Sequence, residues 1–367
     1  MNARTESEAL HARVHAMVRA FERGEGMPEP FDAMAADLAR FQAAHVPGYG
    51  RLCAAHDVEP STIALAEQAP AVPADAFRLG RVFAFEPHEA QATFLTSGTT
   101  LGARGIHRMR DVGTYDAVSL AFGRAMLTRG LAGSVPVIVV GPSPKDAPDS
   151  SLAHMCARFA TALGPPESPE RTFFVRNATI DVDALERRIG RLTRSTPAIV
   201  LATSFVLARC VDEIGGRVLA LPPGSRVMQT GGFKGKSREV QAHELRASLT
   251  KAFAVEDRAI VGEYGMTELS SQFWEMTLVE ALSPHGVYVE PPWARVIPVD
   301  PETLAPVALG DVGIARIEDL ANVDSAFAIL AQDRVRRVPG GFELLGRVAG
   351  AAPRGCSIAL EEMLLGE

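Results

Sequence analysis

The sequence predicts an α/β protein in which parallel sheets are flanked by helices, followed by a smaller β-rich part. From about residue 90 onward, short apolar runs alternate with longer amphipathic stretches, as in sheets whose connections are helices. After Pro284 the pattern changes to short candidate strands separated by Gly and Pro turns. The first part of the chain differs again, because its apolar residues recur at helical intervals.

The central part of the chain supplies the candidate strands of the parallel sheet. Residues 137–140 are a continuous β-branched run, as expected of a strand buried on both faces. Further strands are predicted at residues 91–95, 198–202, 227–230 and 259–261, with an extended segment at 172–175. The helices predicted between them cover residues 111–129, 152–163, 182–192 and 237–253.

Four consecutive segments follow from these patterns. Residues 1–85 form a helical N-terminal region, in which Leu10, Val14 and Val18 repeat at helical spacing. Residues 86–283 form the α/β core, and residues 349–367 form a C-terminal tail that carries Cys356. The β-rich subdomain between them, residues 284–348, has strands predicted at 287–289, 294–299, 313–317, 334–338 and 342–345.

Composition and charge argue against several classes of function. With 47% hydrophobic residues, the 367-residue chain can bury an ordinary globular core. Its formal net charge of -7 and the lack of a Lys/Arg cluster argue against nucleic-acid binding. No run approaches the roughly 18–20 apolar residues of a membrane span, and the N-terminus lacks the apolar stretch of a signal peptide. We therefore expect a cytoplasmic protein without a membrane span.

Four cysteines are scattered along the chain without any Cys-x-x-Cys pair. This spacing argues against a zinc knuckle, and in the cytoplasm it favours reduced thiols. Cys53, Cys156 and Cys210 lie in helical apolar patterns and are predicted to be small core residues. Cys356 differs, because it lies in the glycine-containing tail.

The segment TSGTTLGARG, residues 96–105, follows a candidate strand and is dense in hydroxyl groups and glycines. Glycines let the backbone approach an anion and turn its N–H groups inward, and hydroxyl groups donate further hydrogen bonds to phosphate oxygens. Arg104 can add a charge-assisted contact. An ordinary surface loop can have the same composition, and the Gly-Lys-Ser/Thr signature of the P-loop is missing. The candidate phosphate-binding residues are Thr96, Ser97, Gly98, Thr99, Thr100 and Gly102.

This segment resembles the phosphate loop of the adenylate-forming superfamily, which includes acyl-CoA synthetases, adenylation domains and firefly luciferase. The family loop runs Ser/Thr-Ser-Gly-Thr/Ser-Thr-Gly, one variable residue, then Pro-Lys-Gly. Here Leu101 replaces a glycine, Gly102 comes one place later, and Ala103 with Arg104 replaces Pro-Lys. Residues 264–268, YGMTE, resemble the superfamily's Tyr-Gly-x-Thr-Glu motif and follow the loop in the same order.

The resemblance implies that the α/β core binds ATP and Mg2+, and it gives a role to the residues of the second motif. Tyr264 offers a flat face for stacking on adenine, and Gly265 permits a tight turn beneath it. The Thr267 hydroxyl is expected to reach the α-phosphate. Glu268 is expected to hold Mg2+, a cation that prefers carboxylate and phosphate oxygens.

Weaker matches follow the superfamily's order along the chain. Gly231 and Gly232 correspond to a glycine pair near adenine, and Asp333 corresponds to an aspartate that binds the ribose hydroxyls. Arg347 resembles an arginine that contacts the ribose or a phosphate. His107, just past the loop, is a candidate for facing the acyl or phosphate site, and a structural histidine is the alternative.

From about residue 70 onward, most of the sequence resembles the acyl-protein synthetase (LuxE) family, whose members activate fatty acids for a partner reductase. The chain stops about 20 residues after Arg347, so we expect the superfamily's C-terminal lid and its lysine to be absent. In the acyl-protein synthetases a cysteine near the C-terminus accepts the acyl group, and Cys356 occupies that place. A thiolate is a strong nucleophile toward a mixed anhydride, and an unreactive tail cysteine is the alternative.

The expected activity is ATP-dependent conversion of a carboxylic acid, by the resemblance a fatty acid, to acyl-AMP with release of pyrophosphate. The acyl group then moves to the Cys356 thiol and is delivered to a partner protein such as a reductase or transferase. The residues expected to act in catalysis are Arg104, His107, Thr267, Glu268 and Cys356. Two alternatives stay open: an AMP-forming acyl- or aryl-CoA ligase, and a non-catalytic subunit of the same fold that binds a partner.

Overall fold

The computed structural model describes residues 2–96, 104–231, 241–279, 284–348 and 354–364. The chain divides into two compact units. The first unit consists of Met1–Ala121, Met266–Gln272 and Val289–Glu367, and the second consists of Phe122–Gly265 and Phe273–Tyr288. The N-terminal helical region and the β-rich subdomain, which are far apart in the sequence, therefore belong to the same unit.

The helices of the described residues follow the order of the chain. They are α1 (Ala3–Glu22), α2 (Phe31–His45), α3 (Tyr49–Ala55), α4 (Ala76–Leu79), α5 (Val112–Leu127), α6 (Ser151–Leu163), α7 (Pro169–Thr172), α8 (Val182–Ile189), α9 (Ser204–Ile214), α10 (Ala242–Phe253) and α11 (Arg354–Leu364).

The strands alternate with these helices in the middle of the chain and follow one another toward its end. They are β1 (Val72–Pro73), β2 (Ala92–Leu95), β3 (Ile106–Met109), β4 (Val137–Val140), β5 (Val175–Arg176), β6 (Thr179–Ile180), β7 (Ile199–Thr203), β8 (Arg226–Thr230), β9 (Ile260–Tyr264), β10 (Phe273–Glu275), β11 (Val287–Val289), β12 (Ala294–Val299), β13 (Val312–Asp319), β14 (Ala328–Val338) and β15 (Gly341–Arg347).

The second unit is built on a sheet with the strand order β10-β9-β8-β7-β4. Strands β9, β8, β7 and β4 are parallel, and β10 pairs antiparallel with β9. One row of this sheet aligns Ile138, Val200, Val227 and Ile260, all of which are fully buried. Apolar β-branched side chains suit such positions because they pack on both faces of a covered parallel sheet.

The helices that cover this sheet begin at recognisable capping residues. Ser150, Asp181 and Thr203 each accept a hydrogen bond from a backbone N–H in the first turn of α6, α8 and α9. These bonds satisfy donors that have no partner within the helix. The apolar sides of α8, α9 and α10 join the sheet in one buried cluster that includes Leu185, Leu207 and Leu249.

A buried ion pair supports strand β9 of the second unit. The guanidinium of Arg246 donates to a carboxylate oxygen of Glu275, and the same oxygen accepts the Gly262 N–H at 2.6 Å. A Cβ at Gly262 would lie 2.9 Å from the Glu275 carboxyl carbon and from the Tyr288 hydroxyl. Glycine is therefore required here by close packing against a charged group, since real Cβ atoms do not approach so closely.

The first unit contains an antiparallel sheet with the order β12-β13-β14-β15, and the short strand β1 pairs parallel with β14. Strands β2 and β3 form a separate antiparallel hairpin. The N-terminal helices pack on this unit through large apolar side chains, and the ring of Phe21 meets the fully buried Trp293 edge-on at 5.5 Å.

Helix α11 packs against α3 and β1 within the first unit. Ala359 and Met363 are buried in this contact. The Arg51 guanidinium donates to the Met363 carbonyl oxygen at 2.7 Å, which satisfies a group that a helix C-terminus leaves open. Gly48 has a φ of 86°, and a Cβ at this position would lie 2.8 Å from the same carbonyl oxygen.

Several predicted bounds differ from the structure, among them the end of α8, at Ile189 and not 192, and the end of β9, at Tyr264 and not 261. The extended segment predicted at residues 172–175 is wrong at its start, because Thr172 ends α7, and β5 begins at Val175. Pro169 occupies the first turn of α7, where its fixed φ favours a helix. The strand predicted at 334–338 begins earlier, at Ala328, and the added residues pair with β13. Within the described ranges, no helix is both long and apolar enough to span a membrane.

Candidate active site

The residues at the two ends of the candidate phosphate loop, Thr96 and Gly105, are hydrogen-bonded to each other. Strands β2 and β3 pair up to Leu95 and Ile106. Beyond them, the Thr96 N–H donates to the Gly105 carbonyl oxygen at 2.9 Å, and the Gly105 N–H donates to the Thr96 hydroxyl oxygen at 2.8 Å. A Cβ at Gly105 would lie 2.8 Å from the Thr96 methyl group. The two ends of the loop are thus held together by a threonine–glycine pair.

Arg104 lies on this hairpin end. Its side chain donates to the Thr96 carbonyl oxygen at 2.6 Å and to the Leu95 carbonyl oxygen at 3.1 Å. The guanidinium therefore stabilises the base of the loop, and its predicted contact with a phosphate stays a prediction. The remaining loop residues named in the sequence analysis lie outside the described residues: Ser97, Gly98, Thr99, Thr100 and Gly102.

His107 joins this hairpin to the second half of the YGMTE motif. It lies on β3, is only 2% exposed, and its Nδ1 is 2.7 Å from the Thr267 carbonyl oxygen. Its Nε2 is 3.2 Å from the Ser325 hydroxyl oxygen, and the edge of its ring meets Phe77. Burial lowers the pKa of His107 to about 4, so the imidazole is neutral near pH 7. Two segments 160 residues apart therefore meet through one side chain.

Glu268 follows Thr267 in the sequence and lies in the same unit. Its side chain is buried. Its backbone carbonyl oxygen accepts a hydrogen bond from the Asn322 amide at 2.9 Å. Burial raises the pKa of the Glu268 carboxyl to about 7; the positive charge of Arg347 acts in the opposite direction, and Asp333 and Asp75 add to the rise. These three side chains are thus close enough to influence the carboxylate electrostatically.

The connection between β13 and β14 holds the residues that follow Glu268. The Asp319 carboxylate accepts the N–H groups of Ser270 and Ser271 at 2.9 and 2.8 Å, and also the Ser271 hydroxyl at 2.7 Å. The Ser270 hydroxyl donates to the Asn322 amide oxygen at 2.6 Å. Burial raises the pKa of Asp319, while these hydrogen bonds oppose the rise. The segment after the motif is therefore rigidly positioned by buried polar groups.

Asp333 and Arg347 form a cross-strand pair on β14 and β15. The Arg347 Nε donates to the Asp333 carboxylate at 2.9 Å. Asp333 is only 7% exposed, whereas the Arg347 side chain is about half exposed. Asp333, predicted to bind the ribose, and Arg347, predicted to contact the ribose or a phosphate, are therefore neighbours, and both act electrostatically on Glu268.

The residues predicted to lie near adenine belong to the second unit. Tyr264 ends β9, is buried, and its ring stacks on Phe273 at 5.8 Å with an interplanar angle of 28°. An adenine would therefore have to use the opposite face of the ring. Gly265 is exposed. Gly231 follows β8 with a φ of 68°, a left-handed conformation that favours glycine. Gly232 lies outside the described residues.

Glu263 precedes Tyr264 on β9 and is buried. The Thr230 hydroxyl donates to its carboxyl group in a short hydrogen bond. Burial raises the pKa of Glu263 to about 7, and the Thr230 hydrogen bond opposes the rise. This carboxyl is structural in character, because its hydrogen-bond partner is a protein hydroxyl at the end of the neighbouring strand.

Cys356 lies in the first turn of α11. The sequence predicted a glycine-containing arm here, and residues 349–353 of that arm lie outside the described residues. The other three cysteines are buried, as predicted for core residues. The role of Cys356 as an acyl acceptor stays a prediction.

The predicted Mg2+ would depend on few protein carboxylates. Among the residues that the structure describes, no group of three or more His, Cys, Asp or Glu side chains could hold a metal ion. Mg2+ in nucleotide sites commonly takes one or two protein carboxylates together with phosphate oxygens and water. A single buried carboxylate at Glu268 fits that kind of site, in which the nucleotide supplies most of the ligands.

Sequence reasoning missed the residues that hold the motif in place. Asp319 binds Ser270, and Asn322 binds the Glu268 carbonyl oxygen. Ser325 binds His107, which in turn binds Thr267. Asp324 lies between them and accepts hydrogen bonds from Ser7, His11 and Arg110. The only available signal was a polar run, Asn-Val-Asp-Ser, between two predicted strands, and such a run also fits an exposed turn.

The fold is that of adenylate-forming acyl-CoA ligases of known structure. An open conformation of 2-hydroxyisobutyryl-CoA ligase in complex with 2-HIB-AMP and CoA superposes with a TM-score of 0.64 at 14% identity, over 87% of this chain and 69% of that one. The same ligase in its thioesterification state, with 2-HIB-AMP and CoA, gives a TM-score of 0.60 at 16% identity, over 95% and 69% of the two chains. At such identities the likeness establishes the fold.

A second ligase matches a smaller share of the chain. ATP-bound MatB from Rhodopseudomonas palustris gives a TM-score of 0.49 at 15% identity, over 72% of this chain and 49% of MatB. The chain thus spans about half the length of MatB and about two thirds of 2-hydroxyisobutyryl-CoA ligase. No protein-family model matches the sequence, and no curated protein matches it either.

Proposed function

We propose that the chain activates a carboxylic acid with ATP as its acyl-adenylate. The observation that carries this proposal is the contact between His107 Nδ1 and the Thr267 carbonyl oxygen, 2.7 Å apart. It brings together the hairpin that bears the phosphate loop and the Thr-Glu pair of the second motif. The fold it shares with ligases seen in complex with an acyl-AMP supports the same function.

In the proposed reaction, a carboxylate oxygen attacks the α-phosphorus of ATP. The bond between the α-phosphorus and the bridging oxygen breaks, and pyrophosphate leaves with the electron pair. The loop hydroxyls and N–H groups, together with the Thr267 hydroxyl, would donate to the phosphate oxygens. Catalysis of this kind rests on positioning and on stabilising charge rather than on covalent chemistry by the protein.

Glu268 is the residue proposed to hold Mg2+. When bound, the ion would neutralise charge on the phosphate oxygens. The Glu268 side chain is buried, and the Asn322 amide holds the carbonyl group of the same residue, so the backbone that carries the carboxylate is held in place. Asp333 would contact the ribose hydroxyls, and Arg347 the ribose or a phosphate, as the resemblance implies. The contacts with adenine predicted for Gly231, Gly232, Tyr264 and Gly265 remain part of this proposal.

The second proposed step transfers the acyl group to the Cys356 thiol. The thiolate sulfur attacks the acyl carbonyl carbon, the bond between that carbon and the AMP oxygen breaks, and AMP leaves. The thioester would then be delivered to an acyl-accepting partner protein such as a reductase or transferase. The resemblance to acyl-protein synthetases supports this step and a fatty acid as the substrate.

A second candidate function is an acyl- or aryl-CoA ligase that transfers the acyl group to CoA. The observation that favours it is that the ligase with a TM-score of 0.64 is seen in complex with CoA. The two candidates share the first step and differ in the acceptor. Release of AMP that depends on CoA and survives Cys356→Ala would favour the CoA ligase.

The first step is tested by exchange of labelled pyrophosphate into ATP with a panel of aliphatic and aromatic acids. We expect at least one acid to stimulate exchange in the wild-type protein. Glu268→Gln should reduce the rate by roughly 100-fold or more, the size of effect seen when one charge-stabilising contact is lost. Glu302→Gln, an exposed carboxylate in a turn, is the matched control and should leave the rate unchanged. Wild-type protein that exchanges with no acid would contradict the proposal.

A further inference from the structure

We propose that His107 is a positioning residue that holds the Thr267–Glu268 turn against β3, and that it takes no part in proton transfer. This inference rests on the proposed function, because the turn it holds is the one proposed to contact the α-phosphate and Mg2+. The sequence left two interpretations of His107 open, a residue that faces the acyl or phosphate site and a structural histidine. The hydrogen bonds of its ring favour the second interpretation.

The partners of the ring determine its tautomer. The Thr267 carbonyl oxygen can only accept a hydrogen bond, so Nδ1, at 2.7 Å, must carry the proton and donate. In the neutral ring Nε2 then has a lone pair, which accepts the Ser325 hydroxyl at 3.2 Å. Both nitrogens are therefore committed to protein groups, and neither has a lone pair or proton to offer to a substrate.

The surroundings of the ring also keep a substrate away. His107 is 2% exposed, and the edge contact with Phe77 has a centroid distance of 5.5 Å. The cavity next to the ring has a volume of about 20 Å3 and is lined by polar groups that include His11, Ser270, Asn322 and Ser325. Such a volume admits one or two water molecules and nothing larger. A carboxylic acid cannot reach Nε2 through it.

The hydrogen bond from His107 has a counterpart one residue further along the chain. The Thr267 carbonyl is held by β3 through His107, and the Glu268 carbonyl is held by the β13–β14 connection through Asn322. Fixing two successive carbonyl groups fixes the peptide planes on both sides of the Glu268 Cα, and with them the direction in which its side chain leaves the backbone. A displacement of about 1 Å in such groups can lower a rate by roughly 100-fold.

Three substitutions of His107 separate positioning from proton transfer and from simple packing. His107→Asn places an amide N–H where Nδ1 was and keeps the donor to Thr267. His107→Gln places its amide at the position of Nε2, and His107→Ala removes both groups. In pyrophosphate exchange, we expect Asn to retain kcat within about 3-fold of wild type, and Gln and Ala to lose roughly 10- to 100-fold in kcat. The KM for the carboxylic acid should stay unchanged, because the acid does not contact the ring.

His11→Ala provides a matched control for loss of a buried imidazole. His11 lines the same cavity and bonds to Asp324 and Thr114, but it makes no hydrogen bond to the 267–268 turn. We expect its thermal midpoint to fall while kcat is retained. The inference would be overturned if His107→Asn were as impaired as His107→Ala, or if His107→Ala were as active as the wild type.

A spectroscopic measurement separates the failure of this inference from failure of the proposed function. Long-range 1H–15N spectra of protein labelled with 15N-histidine report which ring nitrogen is protonated. We expect His107 to be the Nδ1–H tautomer in the wild type and in Ser325→Ala alike, because the Thr267 carbonyl oxygen still accepts from Nδ1 in the variant. An Nε2–H tautomer or a charged ring in the wild type would overturn the inference whatever the activity. Absence of exchange with every acid would overturn the proposed function instead.

Discussion

Two buried glutamates, Glu263 just before the YGMTE motif and Glu268 at its end, have different environments. The Glu263 carboxyl has a protein hydroxyl, that of Thr230, as its hydrogen-bond partner. Among the described residues, no side chain donates a hydrogen bond to the Glu268 carboxylate, which accepts from its own backbone N–H and feels the charges of Arg347, Asp333 and Asp75. A buried carboxylate without a side-chain donor is costly unless something else compensates it. We interpret Glu263 as structural and Glu268 as the group kept for a ligand.

The raised pKa of Glu263 predicts how stability depends on pH. Its pKa rises from 4.5 to about 7 on folding, so the folded state keeps a proton that the unfolded state loses. The stabilisation from the protonated Glu263 carboxyl is fully present below pH 4.5. It is lost as pH rises through 7, and the free energy of unfolding falls by about 3 kcal/mol. The side chain introduced by Glu263→Gln is neutral at every pH, so this variant should not show that loss of stability.

Urea unfolding of the wild type and Glu263→Gln at several pH values between 4 and 8 measures this directly. Other titrating groups are common to both proteins, so the difference between the two curves isolates Glu263. The wild type should lose stability relative to the variant as pH rises. Parallel curves would show that the carboxyl is not buried as described.

At this scale the sequence predicted residue types better than their partners. Thr267 and Glu268 were identified from the motif, and the structure adds what holds them. His107 could not be assigned from sequence, because its partners Thr267 and Ser325 lie 160 and 218 residues away. A histidine next to a phosphate loop has the same local sequence whether it faces a ligand or a carbonyl group.

Strand β9 shows how an element that leads into a functional motif is stabilised. The Arg246 guanidinium donates to the Ile260 carbonyl oxygen at 2.8 Å and pairs with Glu275, whose carboxylate also accepts the Gly262 N–H at 2.6 Å. Both charged side chains are less than a tenth exposed. Each charge depends on the other, because an unpaired charge in the interior is strongly unfavourable.

Arg246→Met is therefore expected to destabilise the protein by about 3–5 kcal/mol, because it leaves Glu275 buried without its counter-charge. Chemical denaturation measures the free energy of unfolding. Arg258→Met removes an exposed arginine that pairs with Glu256, and as the control it should change stability by less than about 1 kcal/mol. Equal effects for the two variants would mean that the buried pair contributes no more than a surface one.

The elements themselves were largely predictable from periodicity. The strands Val137–Val140, Val287–Val289 and Ala294–Val299 have the predicted bounds, because turn residues limit each of these short apolar runs. The strand at 334–338 was predicted too short. Its first residues, Ala328 to Ala331, are buried and apolar throughout, so they show no alternation to mark a strand.

At the scale of the whole molecule, no local sequence pattern indicated that the N-terminal helices and the β-rich subdomain belong to one compact unit. Ser7 and His11 on α1 bond to Asp324, and Gln42 on α2 donates to the carbonyl oxygens of Asn322 and Val323. The N-terminal region, in which no chemistry was predicted, thus packs against the connection between β13 and β14. Contacts across about 300 residues leave no local pattern that periodicity could detect.

The C-terminal helix allows a test of the proposed acyl transfer. Incubation of the protein with labelled acid and ATP should label the wild type through a thioester that hydroxylamine cleaves. Cys356→Ala should lose the label and keep pyrophosphate exchange, since the first step does not use the thiol. Cys210→Ala, which alters a buried core cysteine, is the control and should keep the label. Label that stays bound after Cys356→Ala would contradict transfer to this residue.

Equilibrium binding of ATP and AMP tests the central claim most directly, that the phosphate-loop hairpin and the Thr267–Glu268 turn together hold a nucleotide. Calorimetric titration with Mg2+ present needs neither the right acid nor the right acceptor. We predict saturable binding of both nucleotides to the wild type, and for ATP an affinity that falls by roughly 10-fold or more in Glu268→Gln, an effect of about 1.4 kcal/mol. Folded wild-type protein with no affinity for either nucleotide would contradict the claim.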